Sequence, residues 1–143
     1  IKLLTKFYNE FKNDKIVLEK WFLIKSSYNN LYFDGINSIK DVLKNKNFEY
    51  KNPNFVRAIL GGFQNNNIEL FHAKDNSGYK FVADQIILID KINPQTAARI
   101  ITPMTNISKF NNNTKNRIKK YLNLILKSNP SNDVFEVISK SLN

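Results

Sequence analysis

The stretch Lys51-Asn52-Pro53-Asn54-Phe55-Val56-Arg57-Ala58-Ile59-Leu60-Gly61-Gly62-Phe63 decides how the chain is to be read. Asparagine is a good helix N-cap, and proline suits the first helical position because its missing N–H has no partner there anyway. Behind that start signal, Val56, Ile59, Leu60 and Phe63 recur at helical spacing. Gly61-Gly62 points to close approach of a neighbouring backbone, and Asn65-Asn66-Asn67 ends the run. The same device returns at Asn93-Pro94, followed by Thr96, Ala97, Ile100 and Ile101 before Pro103, which is expected to stop the helix.

Working outward, each remaining segment also reads as helix. Leu3, Leu4, Phe7, Tyr8 and Phe11 form one apolar face ending near Asn13, and Asp14 caps a second helix reaching about Ser27. Tyr28 to Phe33 reads as an aromatic loop. Asn37 or Ser38 is the expected cap of a third helix, and Ser77 or Gly78 opens another that runs to Ile92 after the Asp75-Asn76-Ser77-Gly78 turn. A short turn spans Asn106 to Phe110, Thr114 is the expected cap of the next helix, and Asn132 or Asp133 that of the last. No run alternates with period two long enough to argue a sheet. The expected fold is all-α: about eight helices, as antiparallel pairs stacked in an ARM/HEAT-like α-α superhelix, one domain over residues 1–143.

Composition narrows the chemistry. The 143 residues are 42% hydrophobic with eleven Phe, enough for a sizeable core. With no Cys and a single His, His72, the chain supplies neither a thiolate nucleophile nor a zinc ligand set, which usually takes two His and a carboxylate. No stretch nears the roughly 20 apolar residues of a membrane span. The formal charge of +10 raises nucleic acid or an acidic protein surface as partner. The lysines are scattered over every helix, however, and no nucleic-acid-binding motif is present, so no nucleic-acid partner is expected. Ile1 stands where a Met would start a chain, so the sequence is expected to be a piece of a longer polypeptide.

Only three of the 22 basic residues are arginines. Arg57 and Arg99 each follow an Asn-Pro start. In a chain that otherwise uses Lys, this hints at planar, bidentate recognition of a carboxylate, with structural links to a carbonyl or an aspartate of a neighbouring helix weighing more; Asp84 and Asp90 stand around Arg99 without forming a metal or glycosidase constellation. Tyr79 either presents its hydroxyl to a cleft or packs over its turn. His72 either stitches the following loop or serves as acid or base, with the first weighing more.

Several strings together resemble the end of bacterial-type aminopeptidase N, a family of zinc metallopeptidases. They are Leu18-Glu19-Lys20-Trp21-Phe22, Lys51 to Ala58, Phe71-His72-Ala73 with Asp75 to Tyr79, Asp90 to Gln95 with Ala97-Ala98-Arg99, and Asp133 to Leu142. The resemblance runs in order over essentially the whole chain. It implies a non-catalytic, helical C-terminal domain that caps the active-site cavity, its partners being the remaining domains of a parent enzyme and the peptide substrate. The zinc, the catalytic residues and the family's general-acid tyrosine would lie outside this chain, which is expected to be inactive alone, in a bacterial cytoplasmic enzyme. By position, Arg57 and Arg99 look like basic residues of the inner wall and, with Tyr79, become substrate-channel candidates. Asn52 and Asn93 would cap the helices that carry the two arginines. Phe55 departs from the pattern, standing where the family commonly has a basic residue.

Overall fold

The computed structural model describes residues 2–28 and 35–143. All regular structure among them is helical: α1 (Lys2–Phe11), α2 (Lys15–Ser27), α3 (Ile36–Leu43), α4 (Pro53–Asn66), α5 (Ile68–Phe71), α6 (Ser77–Asp90), α7 (Pro94–Thr105), a 3-10 turn (Ile107–Lys109), α8 (Asn112–Lys127) and α9 (Asn132–Leu142). Most of the aromatic loop expected at Tyr28 to Phe33 lies outside the described residues. No described helix is long and apolar enough to cross a membrane. The chain divides into two compact units, residues 1–70 and 71–143.

In the first unit α2 is the central helix, packed most extensively on α4 and flanked by α1 and α3. Asp14 opens it, its Oδ1 accepting the Ile16 and Val17 N–H groups at 3.0 and 3.3 Å. Phe22 is fully buried, its ring 5.1 Å from Phe55, 5.4 Å from Trp21 and 5.9 Å from Phe48. Trp21 turns its indole N–H to the Leu4 carbonyl, 3.2 Å away, tying α1 to α2. Phe55, read from sequence as a gap in a basic strip, is therefore a core ring.

Gly62 explains how closely α2 and α4 approach. A Cβ there would sit 2.9 Å from Leu23 Cδ1 and 3.2 Å from the Leu23 carbonyl oxygen, whereas one on Gly61 would meet nothing within 4 Å. Gly62→Ala is expected to cost about 1–2 kcal/mol, overpacking outweighing the gain in helix propensity. Gly61→Ala has only the gain, up to about 1 kcal/mol. Urea midpoints for the two variants should move in opposite directions; a shift to higher urea in Gly62→Ala would refute the close-approach account.

In the second unit α6 is central, burying Tyr79, Phe81, Val82, Ala83, Ile86 and Ile89, and it packs against α7 and α8, while α9 lies mainly on α7. Several expected boundaries move. Gly35, at φ 51°, precedes α3, and the Ser38 hydroxyl donates back to its carbonyl at 2.7 Å in place of capping. The cap of α8 is Asn111, whose Oδ1 accepts the Thr114 N–H at 2.8 Å. Ser131 caps α9, with its Oγ accepting the Val134 N–H at 3.3 Å. Polar runs such as Asn111 to Thr114 hold several good capping residues, and local chemistry does not choose among them.

Pro103 does not stop α7, which continues to Thr105. Only two residues of the helix follow Pro103, so little of α7 is left for the proline to disrupt. Ile101 and Met104, both fully buried on either side of it, hold the last turn in place.

Candidate functional site

Asn52 and Asn93 build the two arginine-bearing helix starts. Asn52 Oδ1 accepts the Asn54 and Phe55 N–H groups at 3.0 and 3.3 Å, and Asn93 Oδ1 accepts the Thr96 N–H at 3.1 Å. Pro53 and Pro94 sit at the first helical positions. The apolar residues around each arginine turn inward: Val56, Ala58 and Ile59 flank Arg57, and Ala97 and Ile100 flank Arg99. Both arginines are thereby left on the exposed face of their helices.

Neither guanidinium forms an ion pair among the described residues. Arg57 Nη2 donates to Asn54 Oδ1 at 2.5 Å, on its own helix. The carboxylates expected near Arg99 are committed elsewhere. Asp84 pairs with Lys80 at 2.8 Å. Asp90 accepts the Ser131 N–H at 2.7 Å and the Ser131 hydroxyl at 2.5 Å, fixing the start of α9. The ion pairs among the described residues all use lysine.

Tyr79 is placed differently from a channel residue. It is fully buried, and its hydroxyl meets His72 Nδ1. Its ring lies edge-on to Phe71 at 5.3 Å. A side chain closed off in this way cannot touch a passing peptide, so Tyr79 packs over its turn. His72 is the stitching residue, held by Tyr79 with the Phe110 ring 5.3 Å away. Desolvation, then the nearby Arg117 and Lys109 charges, hold the His72 pKa below its usual 6.5. Burial pushes the Tyr79 phenol above its ordinary 10.0, opposed by Arg117.

Arg117 is the residue that sequence reasoning missed. Its Nε donates to Asn76 Oδ1 at 2.7 Å, and its Nη2 to the Ala73 and His72 carbonyls at 2.7 and 3.3 Å. The guanidinium also lies 5.0 Å from the Tyr79 ring centroid, a cation-π contact. Asn76 sits at φ 64° and gives α6 no side-chain cap, its oxygen being taken by Arg117. The only available signal was composition: Arg117 is the third arginine in a lysine-rich chain, set among Lys115, Lys119 and Lys120.

No group of three potential metal ligands occurs among the described residues. The single histidine already has its Nδ1 on Tyr79 and stands beside a guanidinium, a poor setting for a cation. These residues do not fit a zinc site.

Known proteins place the fold. The family described as "Domain of unknown function (DUF3458_C) ARM repeats" matches residues 1–143. The chain belongs to this family. Its ARM-repeat description agrees with the all-helical units and with the superhelix class expected from the sequence.

The chain is 34% identical over 142 residues to aminopeptidase N of Haemophilus influenzae. It is 31% identical over 142 residues to the aminopeptidase N of Caulobacter vibrioides. These alignments cover 98% and 99% of the chain but 16% of each relative, so the chain spans about a sixth of their length. Among solved structures, a crystal structure of Legionella pneumophila aminopeptidase A in complex with aspartic acid matches with a TM-score of 0.86 and 32% identity, over 97% of this chain and 16% of that one.

Proposed function

We propose that this chain is the non-catalytic C-terminal helical domain of a zinc aminopeptidase that releases N-terminal amino acids from peptides. In this reading it caps the active-site cavity and guides peptides toward the metal. The observation that carries the reading is the state of Arg57 and Arg99: both are exposed, each follows an Asn-Pro helix start, and neither is neutralised by a carboxylate among the described residues. A guanidinium with free donors suits a peptide's backbone carbonyls or terminal carboxylate, because it offers a planar fork where an ammonium offers a point charge. Similarity to aminopeptidases over the whole chain supports the assignment to such an enzyme.

The division of labour follows from the side chains present. In the proposed enzyme, hydrolysis falls to the rest of the polypeptide, in keeping with the single histidine of this chain, and the domain contributes access and orientation. In the longer polypeptide, Arg57→Ala and Arg99→Ala are expected to lower kcat/KM for peptides of several residues by about tenfold each, the usual worth of a charge-assisted hydrogen bond. A small aminoacyl arylamide, too short to reach either side chain, should be turned over within about twofold of the parent rate. Equal losses on both substrates, or none on either, would remove the guiding role.

A further inference from the structure

The turn between α5 and α6, residues 72–76, is held by a cluster that lies wholly within the second unit. Its backbone closes through the Asn76 N–H, which donates to the Ala73 carbonyl at 2.9 Å. The Ala73 and His72 carbonyls accept from Arg117 Nη2 at 2.7 and 3.3 Å, while Asn76 Oδ1 takes the Arg117 Nε–H at 2.7 Å. These bonds keep Asn76 at φ 64°, a left-handed conformation that asparagine tolerates without preferring it. The buried Tyr79 hydroxyl has His72 Nδ1 as its only hydrogen-bond partner among the described residues. The hydroxyl therefore donates, and the neutral ring carries its own proton on Nε2.

We propose that this cluster is an acid-released latch: a proton on His72 breaks its bond with Tyr79 and frees the turn at residues 72–76, while α6 and α8 stay folded. A protonated imidazole has no lone pair at Nδ1, so the Tyr79 hydroxyl loses its acceptor in an enclosed site, and the new charge stands beside the guanidinium that holds the turn. The groups that face His72 offer no relief. Arg117 reaches it from α8, and Lys109 Nζ lies 5.5 Å from the Phe110 ring, itself 5.3 Å from the imidazole. Asp75, the carboxylate of the turn, is spent on the Ser77 N–H at 2.9 Å. Tyr121 brings only a neutral ring, 6.3 Å from that of Tyr79. In the opened turn the imidazole is hydrated and takes its proton near the ordinary 6.5. Below that pH each unit of acid favours opening by up to about tenfold, until the lowered value of the closed form is reached. The latch is independent of peptide guiding by Arg57 and Arg99.

The test is heteronuclear NMR on the full chain, whose single histidine makes the imidazole signals unambiguous. At neutral pH Nδ1 should show the signature of an acceptor, and the ring should titrate below 6.5. Hydrogen exchange of the Asn76 N–H, taken relative to an unstructured peptide at the same pH, should quicken by about fivefold between about pH 7 and pH 5. It should remain far faster than exchange at Ile86 and Ile118, fully buried on α6 and α8, because the turn opens without the unit unfolding. His72→Gln keeps an oxygen able to accept the Tyr79 hydroxyl and cannot titrate, so its Asn76 exchange should be flat across the same range. A flat response in the parent chain, Asn76 exchanging no faster than Ile86 and Ile118, or an imidazole titrating at 6.5 or above would each overturn the latch without any variant. The same fivefold rise in His72→Gln, to about the parent extent, would overturn it too.

Discussion

Phe22→Ala is expected to remove about 3–5 kcal/mol from the stability of the first unit, the range for truncating a fully enclosed aromatic residue. Phe22 has no exposed surface, and its ring meets three others at 5.1 to 5.9 Å, from α2, α4 and the segment between α3 and α4. The cavity would open where α2 meets α4 and the segment between α3 and α4, so no single neighbour can move in to fill it. Since domains carry only about 5–15 kcal/mol in all, this loss leaves the unit close to unfolding at room temperature. Phe11→Ala, at a site 39% exposed, is the matched control and should cost far less. Urea unfolding followed by Trp21 fluorescence measures both; equal midpoints for the two variants would show that the aromatic cluster does not hold this unit together.

Arg117→Ala is expected to cost the second unit about 2–4 kcal/mol, because it strands two carbonyls and an amide oxygen that now share one cation. Arg117→Lys should recover only part of this, since one ammonium cannot reproduce the Nε and Nη2 directions that meet Asn76 and Ala73 at 2.7 Å. The same variants carry a pH signature. Because the folded pKa of His72 lies below its ordinary 6.5, the unfolded chain takes up the proton first as the solution is acidified. The His72 contribution is therefore complete above pH 6.5 and is lost as pH falls from there through the lowered folded value. Removing the Arg117 charge lessens the depression, so the slope of stability against pH in that window should shrink in Arg117→Ala. A slope unchanged from the parent would mean that the guanidinium does not act on His72. At the alkaline end the sign reverses. Tyr79, raised above 10.0, stabilises below that pH, and the contribution is lost as pH rises through its folded value.

The helix starts that the sequence made legible are the ones built from neighbours in the chain. Asp14, Asn52 and Asn93 each bond to N–H groups two or three residues ahead, so residue type and spacing carry the whole geometry. Where a polar run offered several candidates, as at Asn111 to Thr114 or Ser131 to Asp133, the cap was displaced from its expected residue. Packing of the following apolar face sets the register there. The apolar faces beside Arg57 and Arg99 were likewise readable from the 3.6-residue period, whereas the exposure of both arginines came with the structure.

What the sequence determined by itself is thus the helical class and the Asn-Pro starts, both consequences of contacts within about one helical turn. Only the tertiary structure decided which polar groups are spent. Asp90 binds Ser131 from 41 residues away, and Arg117 reaches back 41 to 45 residues to Asn76, Ala73 and His72. Tyr79 was drawn inside by the same cluster. Such pairings depend on which helix faces meet, a choice made by shape and burial across the unit. Local spacing therefore marked Arg57, Arg99 and Tyr79 alike, while the fold separated the two exposed guanidinium groups from the buried ring.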